Sequence, residues 1–300
     1  ILLLSVLVIL TVYLSTIGIE TDKFNNQIKK RISQINKNID IDLKKIKLIL
    51  DPFKLKIYVK TVGTTVYFAK IPLALESIKT QVSLSSLIKN EISSSNIEVT
   101  TKSILLNDLI KFIRTTNNKP ELFILEKIVK KGHVIINLSL NIDENGNIKN
   151  DYEIEGLIKD ASINFLNKAN FKNINFNFNF RKDNYHFDEI NFIAEEVNFI
   201  SKKLNIKKKK NSFLIDAIVK NDQSSLNSNI LKLLNLNFEN IIVDDAKFKT
   251  NNEFSLEIDE KFKVKNIILN SDINITQLKY KNLKIINKYF PEVDELILLN

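Results

Sequence analysis

The sequence predicts a mainly β protein with an N-terminal transmembrane helix, a mostly antiparallel sheet and a few short helices. Three observations lead to this fold class. Residues 1–19 carry no charge, and charge begins at Glu20. Most segments after Ile39 alternate between apolar and polar residues with a period of two, which is typical of strands with one buried face. Helical periodicity is confined to short segments, too few to cover such a sheet.

The uncharged run at residues 1–19 is expected to be a membrane anchor. As an α-helix it would be about 28 Å long, close to the ~30 Å hydrocarbon thickness of a bilayer. A cleaved signal peptide is the competing interpretation. The run is longer than a usual signal-peptide apolar region, and no small-x-small cleavage site precedes the charged residues. Both features favour an uncleaved anchor.

Residues 20–37 predict a juxtamembrane amphipathic helix that Thr21 or Asp22 can cap. Apolar residues recur along it at spacings of four and three, and its other side is basic. Two interpretations stay open, and both can hold. The helix lies on lipid headgroups, or its apolar side covers the end of the following sheet. The residues expected at the membrane interface are Phe24, Ile28, Lys29, Lys30, Arg31 and Ile32.

Residues 38–106 form the first predicted β-region. A turn at Asp51-Pro52 precedes a strand with clear alternation. The apolar side of that strand is predicted to carry Phe53, Leu55, Ile57 and Val59.

Residues 107–131 predict a helical insertion between the two β-regions, which is also a candidate lid. Asn107 suits the N-cap of a first helix. Pro120 suits the first turn of a second helix, and Gly132 suits its C-terminal stop.

Residues 132–300 form the second predicted β-region, which we expect to continue beyond residue 300. Asp143–Asn147 (DENGN) is a hairpin signal. In the segment NINFNFNF, residues 173–180, the phenylalanines share one face and the asparagines the other. Strands of this kind number about fifteen along the chain, which suits a meandering antiparallel sheet.

The composition and motifs give little support to catalysis. There is no Cys, so thiolate metal sites and cysteine nucleophiles are excluded. His133 and His186 are far apart and lack metal-ligand spacing. There is no glycine-rich phosphate loop, and no base-reading motif accompanies the net charge of +9, which reflects abundant lysine among interspersed acids. We expect no enzyme activity, no catalytic or metal-binding residues, no cofactor, no nucleotide and no nucleic-acid partner.

One-sided apolar strands must have their apolar face covered. A sandwich, a closed barrel and a long curled sheet enclosing an apolar groove all satisfy this requirement, and the pattern leaves the three open. If a groove forms, acyl chains can lie along it. The expected groove-lining residues are Leu55, Ile57, Val59, Ile136, Leu138, Leu140, Ile154, Ile158, Phe176, Phe178 and Phe180.

Three segments resemble those of a known family. The order of the predicted elements, an anchor followed by a short helix and a pair of strands, adds to the resemblance. The segments are IDIDLKKIKLILDPFKLKIYVKT, IPLALESIKTQVSLSSLI and KKGHVIINLSLNIDENGNIKNDYEIEGLIKDASINFL. They resemble the N-terminal part of AsmA-like proteins of the TamB and YhdP type, which are bridge-like lipid transfer proteins. The resemblance rests on strand pattern and order, and covers most of the chain.

The resemblance implies a long curved, mostly antiparallel sheet that forms a half-pipe or groove. It implies a single-pass protein of the bacterial inner membrane with the bulk of the chain in the periplasm. It also implies phospholipid transport between membranes and outer-membrane or envelope biogenesis, with membrane phospholipids and envelope proteins as partners. The alternative is a non-transporting envelope assembly or scaffold protein with a closed β-sandwich.

Overall fold

The computed structural model describes most of the chain and confirms that it is mainly β. The described residues are 2–35, 37–84, 95–116, 119–143, 149–165, 169–233, 241–242, 245–259, 263–280 and 297–299. The predicted hairpin at Asp143–Asn147 falls largely on residues 144–148, which lie outside them.

Five helices are described, and none is longer than 15 residues. They are α1 (Leu2–Thr16), α2 (Asn25–Ile35), α3 (Leu106–Thr116), α4 (Pro120–Ile128) and α5 (Ser228–Leu233).

The first described strand follows directly after α1, and the last one ends at Leu299. The first nine are β1 (Ile19–Thr21), β2 (Ile39–Asp42), β3 (Lys45–Asp51), β4 (Lys56–Val62), β5 (Thr65–Phe68), β6 (Ile71–Ser83), β7 (Ser95–Thr101), β8 (Ile104–Leu105) and β9 (Val129–Ile142). The others are β10 (Glu153–Phe165), β11 (Ala169–Arg181), β12 (Asn184–Ala194), β13 (Val197–Lys208), β14 (Ser212–Ser225), β15 (Ile241–Ile242), β16 (Lys247–Asp259), β17 (Val264–Thr276), β18 (Leu278–Tyr280) and β19 (Ile297–Leu299).

Sixteen of the described strands belong to one open sheet. Its order is β1-β3-β4-β6-β7-β9-β10-β11-β12-β13-β14-β16-β17, with β2, β5 and β8 attached at its side. The pairings follow the antiparallel pattern predicted from the sequence. Strands β15, β18 and β19 form a separate small sheet.

The chain divides into two compact units. Unit 1 consists of Ile1–Lys127, His133–Leu157 and Asn179–Lys182. Unit 2 consists of Ile128–Gly132, Ile158–Phe178 and Asp183–Asn300.

Helix α1 ends earlier than the uncharged run predicts. The Tyr13 carbonyl accepts hydrogen bonds from the amides of Ile17 and Gly18, at 2.9 and 3.1 Å. Gly18 has φ +72°, a conformation that favours glycine, and Ile19 already belongs to β1. The helix has 15 residues and is therefore about 22 Å long. Within the described part of the chain, no helix is both long and apolar enough to cross a membrane.

Helix α2 begins at Asn25, later than the predicted caps at Thr21 and Asp22. Thr21 belongs to β1, and the Asn25 side chain donates to the Leu43 carbonyl at 2.9 Å. The helix contacts β2. A Lys29–Asp40 ion pair of 3.3 Å supports this contact.

The apolar side of α2 therefore faces the sheet, as one of the two sequence interpretations states. Ile28 and Ile32 are half-buried, whereas Phe24, Lys29 and Lys30 are exposed. Phe24 precedes the helix. The Arg31 side chain lies outside the described part.

The predicted helical insertion is present as α3 and α4, but Gly132 does not end it. Helix α4 stops at Ile128 and β9 begins at once at Val129. Gly132 lies inside β9 with φ +138°, where a Cβ atom would be 2.8 Å from the Cβ of Ala161. The glycine therefore permits a close approach of β9 to β10 rather than a helix stop.

Three strands of unit 2 carry residues with positive φ near their middles, namely Asp160, Asn173 and Glu189. Such a residue shifts the side-chain alternation of its strand by one position, as a β-bulge does. The predicted polar position of Asn173 is consequently a kink, and the strict alternation of β11 begins only after it.

A compact apolar cluster lies at one end of unit 2. Helix α5 places Ile230 against side chains from β13 and β16. The buried members are Val197, Leu226, Ile230, Ala246 and Phe248.

Candidate functional site

The apolar side chains of unit 1 form rows that cross the strands. Because side chains directly opposite each other on paired strands share a face, the strand register defines each row. One row runs Leu48, Val59, Thr80, Ile97, Leu140. The next runs Ile46, Thr61, Ile78, Val99, Leu138.

The register thus brings two groups of predicted residues, separated by the helical insertion, onto one face of unit 1. Val59 and Leu140 share a row, and Leu138 lies in the adjacent one. Ile57 pairs with Leu50 and Val82 in a third row. Ile136 occupies the same side of β9 as Leu138. All of these predicted residues are half-buried.

Leu55 does not belong to this face. Strand β4 begins at Lys56, and Leu55 lies in the preceding turn with φ +50° and 62% exposure. Phe53 lies in the same turn and is 97% exposed. The predicted strand start is wrong here, because apolar-polar alternation continued by coincidence through a turn.

Unit 2 has longer apolar rows, which cross five neighbouring strands. One row runs Phe187, Leu204, Ala217, Phe254, Leu269. Beside it runs Tyr185, Ile206, Ile215, Leu256, Ile267.

Phenylalanine rings extend the first row onto β11. The Phe176 ring centroid lies 5.7 Å from that of Phe187 and 6.3 Å from that of Phe178. Phe178 is buried, with 7% exposure, and Phe176 is half-buried. Phe192 stacks on Phe199 at 5.4 Å. Aromatic pairs of this geometry stabilise the face beyond their buried area.

The opposite face of β11 is polar and hydrogen-bonded, as the NINFNFNF alternation predicts. Asn175 donates to Asn191 at 2.9 Å, and Asn177 donates to Glu189 at 3.0 Å. In unit 1, Asn179 donates to Glu153 at 2.7 Å. These hydrogen bonds hold the asparagine side chains on the polar face.

Coverage of the apolar face in unit 2 is uneven. Helix α5 packs on it at the end that carries Phe248. Elsewhere the row members on β12 to β16 are half-buried apart from Ala217, and on β17 Ile267 and Leu269 are 65% and 60% exposed. Besides this sheet, the described residues form one other, the three-stranded sheet of β15, β18 and β19.

The remaining predicted residues are also half-buried. Ile154 and Ile158 lie on the same face of β10, before the kink at Asp160. Phe180 lies near the end of β11. The row members on β12 to β17 are not among the residues predicted from the sequence to line a groove. Their strands were predicted from alternation, but the sequence carries no signal for the register that aligns them.

The two histidines of the chain lie on strands β9 and β12. His133 is exposed, and the Nδ1 atom of His186 is hydrogen-bonded to the Asn205 side chain. Within the described ranges, no cluster of three His, Asp or Glu side chains could hold a metal ion.

The pKa values of two carboxylates, Glu153 and Glu257, are lowered by hydrogen bonds. Hydrogen bonds from Asn179 and Arg181 hold the pKa of Glu153 below its ordinary value of 4.5. The Arg181 Nε atom lies 2.7 Å from the carboxylate. A similar bond from the Ser212 hydroxyl, with help from Lys209, lowers the pKa of Glu257.

We expect the Glu153 interaction to stabilise the fold slightly at neutral pH. Because the folded pKa is the lower one, this stabilisation is present above about pH 4.5 and is lost as the pH falls through the folded pKa. Urea unfolding of Glu153→Gln, followed by circular dichroism, should show a lower midpoint than the unmodified chain at pH 7. The difference should shrink toward pH 3. Glu76→Gln at an exposed position is the control, and a difference that grows on acidification would contradict the assignment.

Comparison with known proteins gives no assignment. No protein-family model matches the chain, and neither the curated proteins nor the solved structures include a match.

Proposed function

We propose that the chain is a membrane-attached lipid carrier in which the apolar faces of the sheet hold the acyl chains of phospholipids. The observation that carries this proposal is the continuous row from Phe176 through Phe187 and Leu204 to Phe254. Its large side chains are half-buried, and no polar residue interrupts the row.

The driving force in this proposal is burial of apolar surface. Each methylene removed from water contributes about 0.8 kcal/mol. A row that crosses strand after strand offers an acyl chain repeated contacts of similar energy. A lipid can therefore shift along the row without returning to water, while its headgroup stays in solvent at the margin of the face.

Helix α1 supplies the attachment in this proposal. Every described position from Leu2 to Leu10 is exposed, and the exposed fraction reaches 82% at Leu2. So much apolar surface is unfavourable in water and favourable in a bilayer. Residues 17–19 continue the uncharged run of the predicted anchor beyond the helix. The basic side of α2 would lie toward the headgroups.

The resemblance to AsmA-like proteins gives this proposal its cellular setting. The chain would be anchored in the bacterial inner membrane, with its sheet in the periplasm. It would take part in phospholipid transport toward the outer membrane and in envelope biogenesis. Membrane phospholipids are then its ligands, and envelope proteins are its partners.

The proposal is tested by the lipid that remains bound to the purified chain. Leu204→Glu places a carboxylate in the apolar row, and we expect it to lower the lipid retained per protein by at least about tenfold. A leucine-sized apolar contact is worth ~1.5–3 kcal/mol, which exceeds the 1.4 kcal/mol of a tenfold change. Lys203→Glu, on an exposed side chain one position away, is the matched control.

Both variants are purified in the same detergent, extracted with organic solvent and analysed by mass spectrometry. Photo-crosslinking phospholipids should label Phe176 and Phe254 in the control and not in Leu204→Glu. Absence of phospholipid from the unmodified chain, or equal retention by the two variants, would refute lipid binding at this face.

A further inference from the structure

The turn between β3 and β4 displays the most exposed large apolar side chain on the described part of unit 1. Phe53 is 97% exposed and Leu55 is 62% exposed. Lys54 between them is exposed, and Lys56 follows at the start of β4. Exposed aromatic and aliphatic side chains interleaved with lysines are typical of segments that lie in a membrane interface.

The turn is held in a defined conformation. Oδ1 of Asp51 accepts hydrogen bonds from the amides of Phe53 and Lys54, at 3.1 and 3.0 Å. The Leu55 carbonyl accepts one from the amide of Leu84 at 2.9 Å. Pro52 restricts the backbone further. Phe53 is therefore presented to its surroundings by a preorganised turn, so ordering it on a ligand costs little entropy.

This turn lies at the end of β3 from which α1 enters the sheet. Strand β1 runs antiparallel to β3, with Ile19 opposite Leu48 and Thr21 opposite Ile46. The chain thus arrives from the Asp51 side. A Cβ atom on Gly18 would be 3.0 Å from Cγ1 of Ile49. Asp51 is two residues further along β3, about 7 Å away.

We propose that the turn Asp51–Leu55 is a second membrane contact, in which Phe53 and Leu55 enter the boundary between headgroups and acyl chains and Lys54 binds anionic headgroups. The inference rests on the proposed membrane attachment of α1. With the C-terminal end of α1 at the membrane surface, the short connection through Gly18 holds the turn at the same depth. Two contacts fix the orientation of the sheet on the membrane, whereas a helix alone leaves rotation about its axis free.

The absence of natural tryptophan makes the inference directly measurable. Three single-tryptophan variants of the full chain are reconstituted into vesicles that contain brominated phosphatidylcholine, with or without phosphatidylglycerol. Phe53→Trp reports on the turn, and Tyr13→Trp reports on α1. Phe123→Trp, at a 48% exposed phenylalanine of α4, is the matched control.

We expect the fluorescence emission of tryptophan at position 53 to shift to shorter wavelength when the vesicles are added. The brominated lipid should quench it to an extent comparable with tryptophan at position 13. Position 123 should stay in water. Adding Lys54→Gln to Phe53→Trp should lower the immersed fraction in anionic vesicles about fivefold, because one lysine near such a surface contributes ~1 kcal/mol. The same change should have little effect in neutral vesicles.

The outcomes separate the two proposals. Quenching at position 13 with none at position 53 would overturn the second contact and leave the attachment of α1 intact. Equal quenching at positions 53 and 123 would also overturn it, since the turn would then contact the membrane no more than the control position does. No quenching at position 13 would refute the membrane attachment on which the inference rests.

Discussion

Gly18→Ala is expected to detach β1 from β3 and to destabilise the junction between α1 and the sheet by about 3 kcal/mol. Two costs add in this variant. Alanine must adopt the left-handed conformation that glycine holds at φ +72°. In addition, its Cβ atom would lie 2.4 Å from the carbonyl oxygen of Leu48, the residue that pairs with Ile19. Either the carbonyl moves or the β1–β3 pairing opens.

Gly63→Ala separates these two costs. Gly63 has a similar φ of +66°, but the nearest heavy atom to its Cβ position is the Lys44 Cδ, at 3.8 Å. We therefore expect Gly63→Ala to cost only about 1 kcal/mol, the conformational part.

Hydrogen exchange of the full chain, measured by mass spectrometry in detergent, is the suitable readout because it reports local opening. Peptides covering β1 should exchange roughly a hundredfold faster in Gly18→Ala, since 1.4 kcal/mol corresponds to tenfold. Unchanged exchange in β1, or equal effects of the two glycine substitutions, would contradict the close approach of Gly18 to Leu48.

Asn221→Leu is expected to destabilise unit 2 by about 3 kcal/mol, because it leaves buried polar groups without partners. The Asn221 side chain is 0% exposed. Its Oδ1 atom accepts hydrogen bonds from the amide and hydroxyl of Thr250, at 2.9 and 2.7 Å. Its Nδ2 atom donates to the carbonyls of Asp222 and Phe248, at 2.7 and 3.2 Å.

The position of this side chain explains the size of the effect. The pairing of β14 with β16 shifts between Asn221 and Ser224. Backbone groups lose regular ladder partners at such a bulge. The side-chain amide of Asn221 replaces those partners. A leucine side chain has a similar volume but no polar atoms, so it cannot form these hydrogen bonds.

Asn251→Leu is the matched control, at an exposed position next to Thr250 on β16. It should change the free energy of unfolding by no more than about 0.5 kcal/mol. Urea unfolding followed by circular dichroism, with hydrogen exchange of β14 and β16 peptides, measures both variants. Similar midpoints for the two would show that the Asn221 hydrogen bonds do not hold the bulge.

Sequence alternation predicted the faces of individual strands well where no kink intervenes. Phe176 and Phe178 lie on one side of β11 and Asn175 and Asn177 on the other, because successive side chains of a strand point to opposite faces. The same alternation failed at Leu55, because a turn and not a strand holds that residue. Asn173 is exposed as predicted, but its positive φ changes the phase of the alternation along β11.

Glycine was a second source of error. Gly132 follows a helical segment, and its residue type suits a helix stop. The structure uses it where β9 approaches Ala161 too closely for a side chain. A helix stop and a close approach of two backbones call for the same residue, so the neighbouring sequence cannot distinguish them.

The amino-acid pattern alone established a mainly β chain with an apolar first helix, a helical interruption, and strands that are apolar on one side. These properties follow from interactions between residues close in sequence. The alignment of Phe187 with Leu204 and Phe254, the bulge held by Asn221, and the placement of Phe53 beside the entry of α1 emerged from the folded chain. Backbone hydrogen bonds are nearly the same for every residue, so strands can pair locally in several registers at similar energy. The favourable register depends on packing between strands that are distant in sequence.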